Sequence, residues 1–135
     1  MPLEIRVSIP LPRVEVVENT NARNLSPEQA AGPFDIITID VSFISLKLIF
    51  PNLPSRLVPG GLLLALIKPQ FEAGRGKVPG RIVKDAKVWD EVLESFRSAN
   101  IFDPSERLEL VGFTTSVIEG REGNREFFGL WRKSS

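Results

Sequence analysis

The sequence predicts an α/β domain whose sheet is mainly parallel and closes with an antiparallel hairpin near the C-terminus. Two mostly continuous apolar runs, residues 34–40 and 62–67, have the β-branched composition of strands that are covered on both faces of a parallel sheet. Apolar side chains at helical spacing over residues 83–98 predict an amphipathic helix. Two β-rich runs, residues 108–115 and 126–131, predict the hairpin.

The sequence pattern of residues 1–57 predicts short strands and helical segments. Alternation of apolar and polar residues over residues 3–9 and the β-rich residues 14–17 predict two short strands around a proline-rich turn. A capping Ser26, followed by a proline and a glutamate, predicts a helical turn that ends at the Gly-Pro pair of residues 32–33. Residues 44–57 suit a helix with a proline break, which would link the two parallel strands.

The C-terminal residues predict how the last two strands of the sheet are connected. Residues 119–124 are rich in glycine and polar residues and suit a turn between the last two strands. A hairpin after a strand–helix–strand unit implies one antiparallel strand near the sheet edge. The chain has 135 residues, 42% of them apolar and 25% charged, and we therefore expect one domain over residues 1–135.

Composition excludes several kinds of chemistry. With no cysteine and no histidine, the chain cannot form disulfides, thiolate or imidazole metal sites, or a histidine general base. Proton transfer would have to use carboxylates and lysines. No apolar run approaches the roughly 20 residues of a membrane span and no signal pattern is present, so we expect a cytoplasmic protein without a membrane partner.

Two charged residues stand where the predicted parallel strands end. Asp40 closes the first strand and Lys68 follows the second. Ligands of open α/β sheets bind at the carboxyl ends of strands, and neighbouring strands lie about 4.8 Å apart, so this carboxylate and this ammonium can meet directly or through one water. From position alone, Asp40 could equally be a cap or turn residue, and a surface lysine is the favoured alternative for Lys68.

The amino-acid sequence around these two residues resembles the motifs of a known family. Residues 40–46, Asp-Val-Ser-Phe-Ile-Ser-Leu, and residues 68–75, Lys-Pro-Gln-Phe-Glu-Ala-Gly-Arg, are similar to two motifs of TlyA-type (haemolysin A) FtsJ-like RNA methyltransferases. Residues 116–127 resemble the closing motif of that family, although Val117 replaces its proline. Residues 13–23 resemble the segment that enters the cofactor-side loop of the family, whereas residues 1–12 fit poorly.

The resemblance implies a fold, a reaction and a set of catalytic residues. It implies a partial Rossmann-like methyltransferase sheet that transfers a methyl group from S-adenosylmethionine to a ribose 2′-hydroxyl of ribosomal RNA. The catalytic set of the family is Lys, Asp, Lys and Glu, and its last three members fall on Asp40, Lys68 and Glu126. Lys68 would hold and polarise the hydroxyl, and the two carboxylates would orient the ammonium. Without the motif, Glu126 could be an ordinary strand carboxylate.

The resemblance also implies binding residues. Asn21, Asp40 and Phe43 are expected to contact the cofactor. Phe43 and Phe71 could stack on a base or on adenine, but core packing is the favoured alternative. A glycine-rich basic loop is expected to contact RNA phosphates, with a solvated loop as the equal alternative; its basic residues are Arg75, Lys77 and Arg81.

Parts of the family pattern have no counterpart in the sequence. The Gly-rich cofactor turn, the first catalytic lysine and the S4-like RNA-binding domain find no match, and a formal net charge of zero agrees with a missing RNA anchor. We therefore expect a truncated domain that is inactive alone and that forms a homodimer or pairs with a missing half. The contact would be made through an exposed strand at residues 34–40 or through the N-terminal hairpin of residues 3–17. The alternative is a non-catalytic interaction module that retains the fold. A membrane-active haemolysin is not supported by any apolar span or basic amphipathic helix.

Overall fold

The computed structural model describes residues 14–73, 83–98, 108–120 and 123–134. Four strands and two helices form within these ranges, together with four single turns of 3₁₀-helix. The strands are β1 (Phe34–Ile39), β2 (Leu57–Ile67), β3 (Leu108–Thr115) and β4 (Phe127–Lys133), the helices are α1 (Pro69–Glu72) and α2 (Ala86–Ser98), and the 3₁₀ turns are Ala22–Asn24, Leu46–Leu48, Phe50–Asn52 and Pro54–Arg56.

The four strands form one sheet in the order β1-β2-β4-β3. β1 pairs with β2 in parallel, whereas β4 is antiparallel to both β2 and β3. As a result β1, β2 and β3 run in one direction and β4 alone is reversed, next to the edge strand. The predicted α/β fold, with a parallel strand pair and an antiparallel hairpin at the C-terminus, is confirmed, and the described sheet is mixed because β2–β4 and β3–β4 are both antiparallel.

The connection between β1 and β2 differs from the prediction. Three consecutive 3₁₀ turns replace the expected helix over residues 44–57, with hydrogen bonds such as Ile49 N to Leu46 O at 2.9 Å. Pro51 and Pro54 stand in the first turn of the second and third of these segments. Because proline has no N–H and clashes with the preceding turn of an α-helix, two prolines this close restrict the chain to short turns.

The N-terminal predictions have mixed outcomes. The turn at Ser26 is confirmed, since Gln29 N donates to Ser26 O at 3.1 Å and Ser26 N donates to the Gln29 side chain at 3.0 Å. The predicted strand at residues 14–17 is wrong, because these residues are exposed and have no strand pairing. The predicted strand at residues 3–9 lies outside the described residues.

Arg56 attaches the segment that precedes β1 to the body of the domain. Its buried guanidinium donates to Ala30 O at 3.1 Å and to Ser26 O at 2.7 Å. Asn52 adds a bond from its side-chain nitrogen to Arg23 O at 2.6 Å. These bonds satisfy carbonyls that lie outside any sheet ladder, and they fix the position of the chain around Asn21.

The core lies on one face of the sheet. Leu63, Ala65 and Ile67 alternate along β2 and are completely buried. Trp131 of β4 packs edge-on against Phe50, with ring centroids 5.1 Å apart, so the 3₁₀ turns cover this face together with α2. None of the described helices is long and apolar enough to cross a membrane.

Candidate active site

A cleft of about 640 Å³ lies at the carboxyl ends of β1 and β2. Its volume is in the range of about 300–1,000 Å³ that is usual for small-molecule sites. Most of the lining comes from three segments, the chain before β1, the loop after β1 and the start of α1. The lining residues are Thr20, Asn21, Ala22, Asp40, Val41, Ser42, Phe43, Ile44, Ile49, Lys68, Gln70, Phe71 and Glu126.

Lys68 and Asp40 form an ion pair on this cleft. Lys68 Nζ lies 2.6 Å from Asp40 Oδ1, and it also donates to Ser42 Oγ at 3.1 Å. The two residues meet because β1 and β2 are parallel and end at the same edge of the sheet. The Lys68 side chain is only 12% exposed, whereas that of Asp40 is 69% exposed. The ammonium is thus fixed at the wall of the cleft and the carboxylate stays open to solvent.

Glu126 lies on the same cleft but has a different partner. Its buried carboxylate accepts a hydrogen bond from Gln70 Nε2 at 3.0 Å. Any side chain at position 120 would collide with this carboxylate, so Gly120 permits its close approach to the loop before β4. The structure therefore brings Asp40, Lys68 and Glu126 together, but the hydrogen bond to Glu126 comes from Gln70, whereas Asp40 is the carboxylate that touches the ammonium.

Phe43 stands at the mouth of the cleft in a constrained backbone conformation. Its φ is +64°, a region that residues other than glycine rarely adopt. The side chain is 63% exposed and its ring lies 4.9 Å from the Phe71 ring, centroid to centroid, at a tilt of 52°. The favoured expectation that Phe43 packs in the core is wrong, because the turn at positive φ directs the ring outward over the cleft.

Glu72 joins the two strand-end loops behind the cleft. Ser45 Oγ donates to Glu72 Oε2 at 2.6 Å, and Leu46 N donates to Glu72 Oε1 at 2.7 Å. Burial raises the pKa of the Glu72 carboxyl, while these two bonds and the charge of Lys47 act in the opposite direction. Sequence reasoning assigned no role to Glu72, Gln70 or Gly120, and the only signal was their presence inside the motif-like segments.

The remaining predicted site residues divide between the cleft and the undescribed part of the chain. Asn21 lines the cleft and caps a 3₁₀ turn, with its side-chain oxygen accepting from Arg23 N at 2.9 Å. Among the described residues, no cluster of three acidic side chains is arranged to hold a metal ion. The predicted RNA-contacting residues lie outside the described residues; they are Arg75, Lys77 and Arg81.

Comparison with known proteins identifies relatives. The 16S/23S rRNA (cytidine-2′-O)-methyltransferase TlyA of Mycobacterium tuberculosis (strain ATCC 25618 / H37Rv) is 36% identical over 129 residues, which cover 91% of this chain and 45% of that protein. YqxC of Bacillus subtilis (strain 168) is 47% identical over 117 residues, which cover 85% of this chain and 41% of that protein. The chain thus spans less than half the length of these two curated relatives.

A solved structure gives the same result at the level of the fold. A crystal structure from Lactococcus lactis matches with a TM-score of 0.78 at 41% identity, covering 89% of this chain and 57% of that chain. The sequence model of FtsJ-like methyltransferases matches residues 3–133, which is nearly the whole chain. The matched residues include the ion pair at the strand ends and the closing hairpin, and they show that the chain belongs to the FtsJ-like methyltransferase family.

Proposed function

We propose that this chain forms the substrate-activating part of an S-adenosylmethionine-dependent ribose 2′-O-methyltransferase that acts on ribosomal RNA. The observation that carries the proposal is the Lys68–Asp40 ion pair of 2.6 Å on the wall of a ligand-sized cleft. Both residues lie in segments that match a methyltransferase family, and the TlyA relative is named for ribose methylation of 16S and 23S rRNA.

The described residues are suited to one side of a cofactor site. The exposed Asp40 carboxylate can accept hydrogen bonds from hydroxyl or amino groups, and the exposed Phe43 ring offers a face on which a purine can stack. Asn21 lies on the same cleft. S-adenosylmethionine would supply a methyl group that is already activated by the sulfonium charge. We propose that Asn21, Asp40 and Phe43 contact it.

Lys68 is the residue that we assign to the attacking hydroxyl. An ammonium has three N–H donors, and within the described residues Asp40 and Ser42 take two of its bonds. The remaining donor can hold the ribose 2′-oxygen, while Asp40 keeps the ammonium in place. As the new C–O bond formed, the methyl C–S bond of the sulfonium would break and its electron pair would leave with the thioether, while the hydroxyl proton would pass to water or to a neighbouring carboxylate. Alignment of the hydroxyl for in-line attack is the main contribution of these residues.

The proposed function predicts how methyl transfer responds to Lys68. The chain alone is expected to transfer little or no methyl group, because it spans less than half the length of the curated relatives that it matches. Fused to the N-terminal half of the TlyA relative, it is expected to methylate ribosomal RNA when labelled S-adenosylmethionine is supplied. Lys68→Ala in that fusion is expected to slow transfer by about 100-fold or more.

The matched control for this experiment is Lys87→Ala, since Lys87 is an exposed lysine of α2 outside the cleft. The control variant is expected to transfer methyl groups at the unmodified rate. Equal rates for Lys68→Ala and Lys87→Ala would contradict the assignment of Lys68. Robust transfer by the unfused chain would contradict the proposed need for a second half.

A specific surface favours a second proposal, that this chain acts as an interaction module. β1 is an edge strand of the described sheet, and Ile36 on it is 61% exposed. An apolar edge strand with unpaired backbone groups promotes pairing with another chain. We propose that this edge joins two copies about a two-fold axis or binds the complementary half of a methyltransferase domain. Assembly without any binding of S-adenosylmethionine would favour the module over the enzyme.

A further inference from the structure

We infer that Glu72 is a positioning residue, which clamps the loop carrying Asp40 and Ser42 against the segment that begins with Lys68. The inference deepens the proposed function, because it explains how the reacting lysine is held. The hydrogen bonds of this clamp lie within the chain, so they can be tested without cofactor or RNA.

The carboxylate of Glu72 lies between the two loops that form the cleft. One oxygen accepts from Ser45 Oγ at 2.6 Å and the other accepts from Leu46 N at 2.7 Å. Both donors follow β1, whereas Glu72 is the last residue of α1, which follows β2. Two short bonds from one side chain therefore tie the end of β1 to the end of β2, behind the cleft.

The loop after β1 needs such an attachment. It contains Phe43 at a φ of +64°, and backbone strain of this kind persists only where neighbouring contacts hold it. Other contacts between these loops include the Lys68–Asp40 ion pair and the ring contact of Phe43 with Phe71. These contacts involve exposed side chains at the solvent-facing cleft, and exposed interactions contribute little. Glu72 supplies a contact that is partly buried behind the cleft.

The ionisable carboxyl of Glu72 suggests that a contribution to stability is not the only reason for a glutamate at this position. Burial raises its pKa, so the folded chain binds a proton more readily than the unfolded chain does. Its contribution to stability is thus largest at low pH and falls as pH rises from the unfolded towards the folded pKa. Lys47, the cation that faces it, is itself bonded to Ser95 Oγ at 2.6 Å and only partly offsets the burial. Burial thus works against the charge of this carboxylate, and the feature that links the two loops is its pair of hydrogen-bonding atoms, one facing Ser45 Oγ and one facing Leu46 N.

The test compares Glu72→Ala with Glu72→Gln by hydrogen exchange and by acetylation with acetic anhydride. In Glu72→Ala the Leu46 amide is expected to exchange about tenfold faster, because it loses its acceptor. Lys68 is expected to be acetylated several-fold faster, because the loop that carries its partner Asp40 is released. Glutamine retains one acceptor for Leu46 N and can donate to Ser45 Oγ, so Glu72→Gln is expected to restore both rates.

Controls separate the clamp from a general loss of structure. Lys87, exposed on α2, serves as the internal reference for acetylation in every variant. Glu94→Ala removes an exposed glutamate that pairs with Arg97 on α2, and it is expected to change neither Leu46 exchange nor Lys68 acetylation. Should Glu72→Ala unfold, Ser45→Ala removes one donor from the clamp and is expected to raise Lys68 acetylation in a folded protein.

Two outcomes would overturn the inference. One is a folded Glu72→Ala variant in which Leu46 exchange and Lys68 acetylation remain at the unmodified rates. The other is a Glu72→Gln variant as disturbed as Glu72→Ala, since the geometry would then not be carried by hydrogen bonds that glutamine can replace. Failure of methyl transfer with the clamp intact would contradict the proposed function alone.

Discussion

The two faces of the sheet come from the same strands but have different surroundings. Along β2, Leu63, Ala65 and Ile67 point to the packed face and are completely buried. The residues that alternate with them, Leu62, Leu64 and Leu66, are only half-buried. Successive side chains of a strand point to opposite faces, so a continuous apolar run fills one core and presents a second apolar surface. The packed face stabilises this chain, and the open face is the one that the proposed assembly would use.

The packed face is organised around an aromatic cluster. Trp131 contacts the rings of Phe50, Phe96 and Phe113, with centroids 5.1 to 6.3 Å apart and mostly edge-to-face. The open face has no comparable cluster among the described residues. It has instead a cavity of about 370 Å³, which is lined by Thr38, Leu64 and Phe128 and extends to Asp40 and Glu126 at the sheet edge.

The largest expected effect on stability comes from removing the centre of the packed face. Trp131→Ala deletes a side chain that is 2% exposed, and we expect it to reduce the free energy of unfolding by about 3–5 kcal/mol. Val111→Ala, on a β3 residue that is 55% exposed, is the comparison and is expected to cost much less. Urea denaturation followed by far-ultraviolet circular dichroism would measure both. Equal losses would contradict the contrast between the two faces.

A smaller effect is expected from adding a methyl group to the packed face. A Cβ at Gly129 would lie 2.5 Å from the Trp131 ring, so Gly129→Ala is expected to reduce stability by about 1–3 kcal/mol. Gly112 on β3 is the matched control, because a Cβ there meets no atom within 4 Å. Gly112→Ala is expected to be neutral or slightly stabilising. Thermal unfolding measures the midpoint temperatures of both variants. A lower midpoint for Gly112→Ala than for Gly129→Ala would contradict this packing.

The sequence predicts the sheet and the ends of its central strands better than the contacts between loops. Asp40 and Lys68 could be placed as neighbours because β-branched runs mark parallel strands and strand ends share an edge. The outward turn of Phe43 and the attachment of Glu72 to Ser45 could not be predicted. Both depend on where two loops meet in space, and the local pattern of either loop carries no information about the other. The 3₁₀ turns differ from the helix that apolar spacing predicts because Pro51 and Pro54 prevent a continuous α-helix there.

The smallest change in the free energy of unfolding is expected on the open face. A substitution there is also the sharpest test of the contrast between the two faces. Ile36→Lys places a charge on an exposed residue of the β1 edge, and stability should change by less than about 0.5 kcal/mol because little is buried there. Association should be lost, since a charge on an edge strand opposes pairing with another chain. Leu48→Lys, at an exposed apolar residue away from the sheet, is the matched control and should leave association unchanged. Sedimentation velocity over a range of concentrations measures both variants. If the unmodified chain stays monomeric at high concentration, or if Ile36→Lys associates as the control does, the open face and its edge are not the assembly surface.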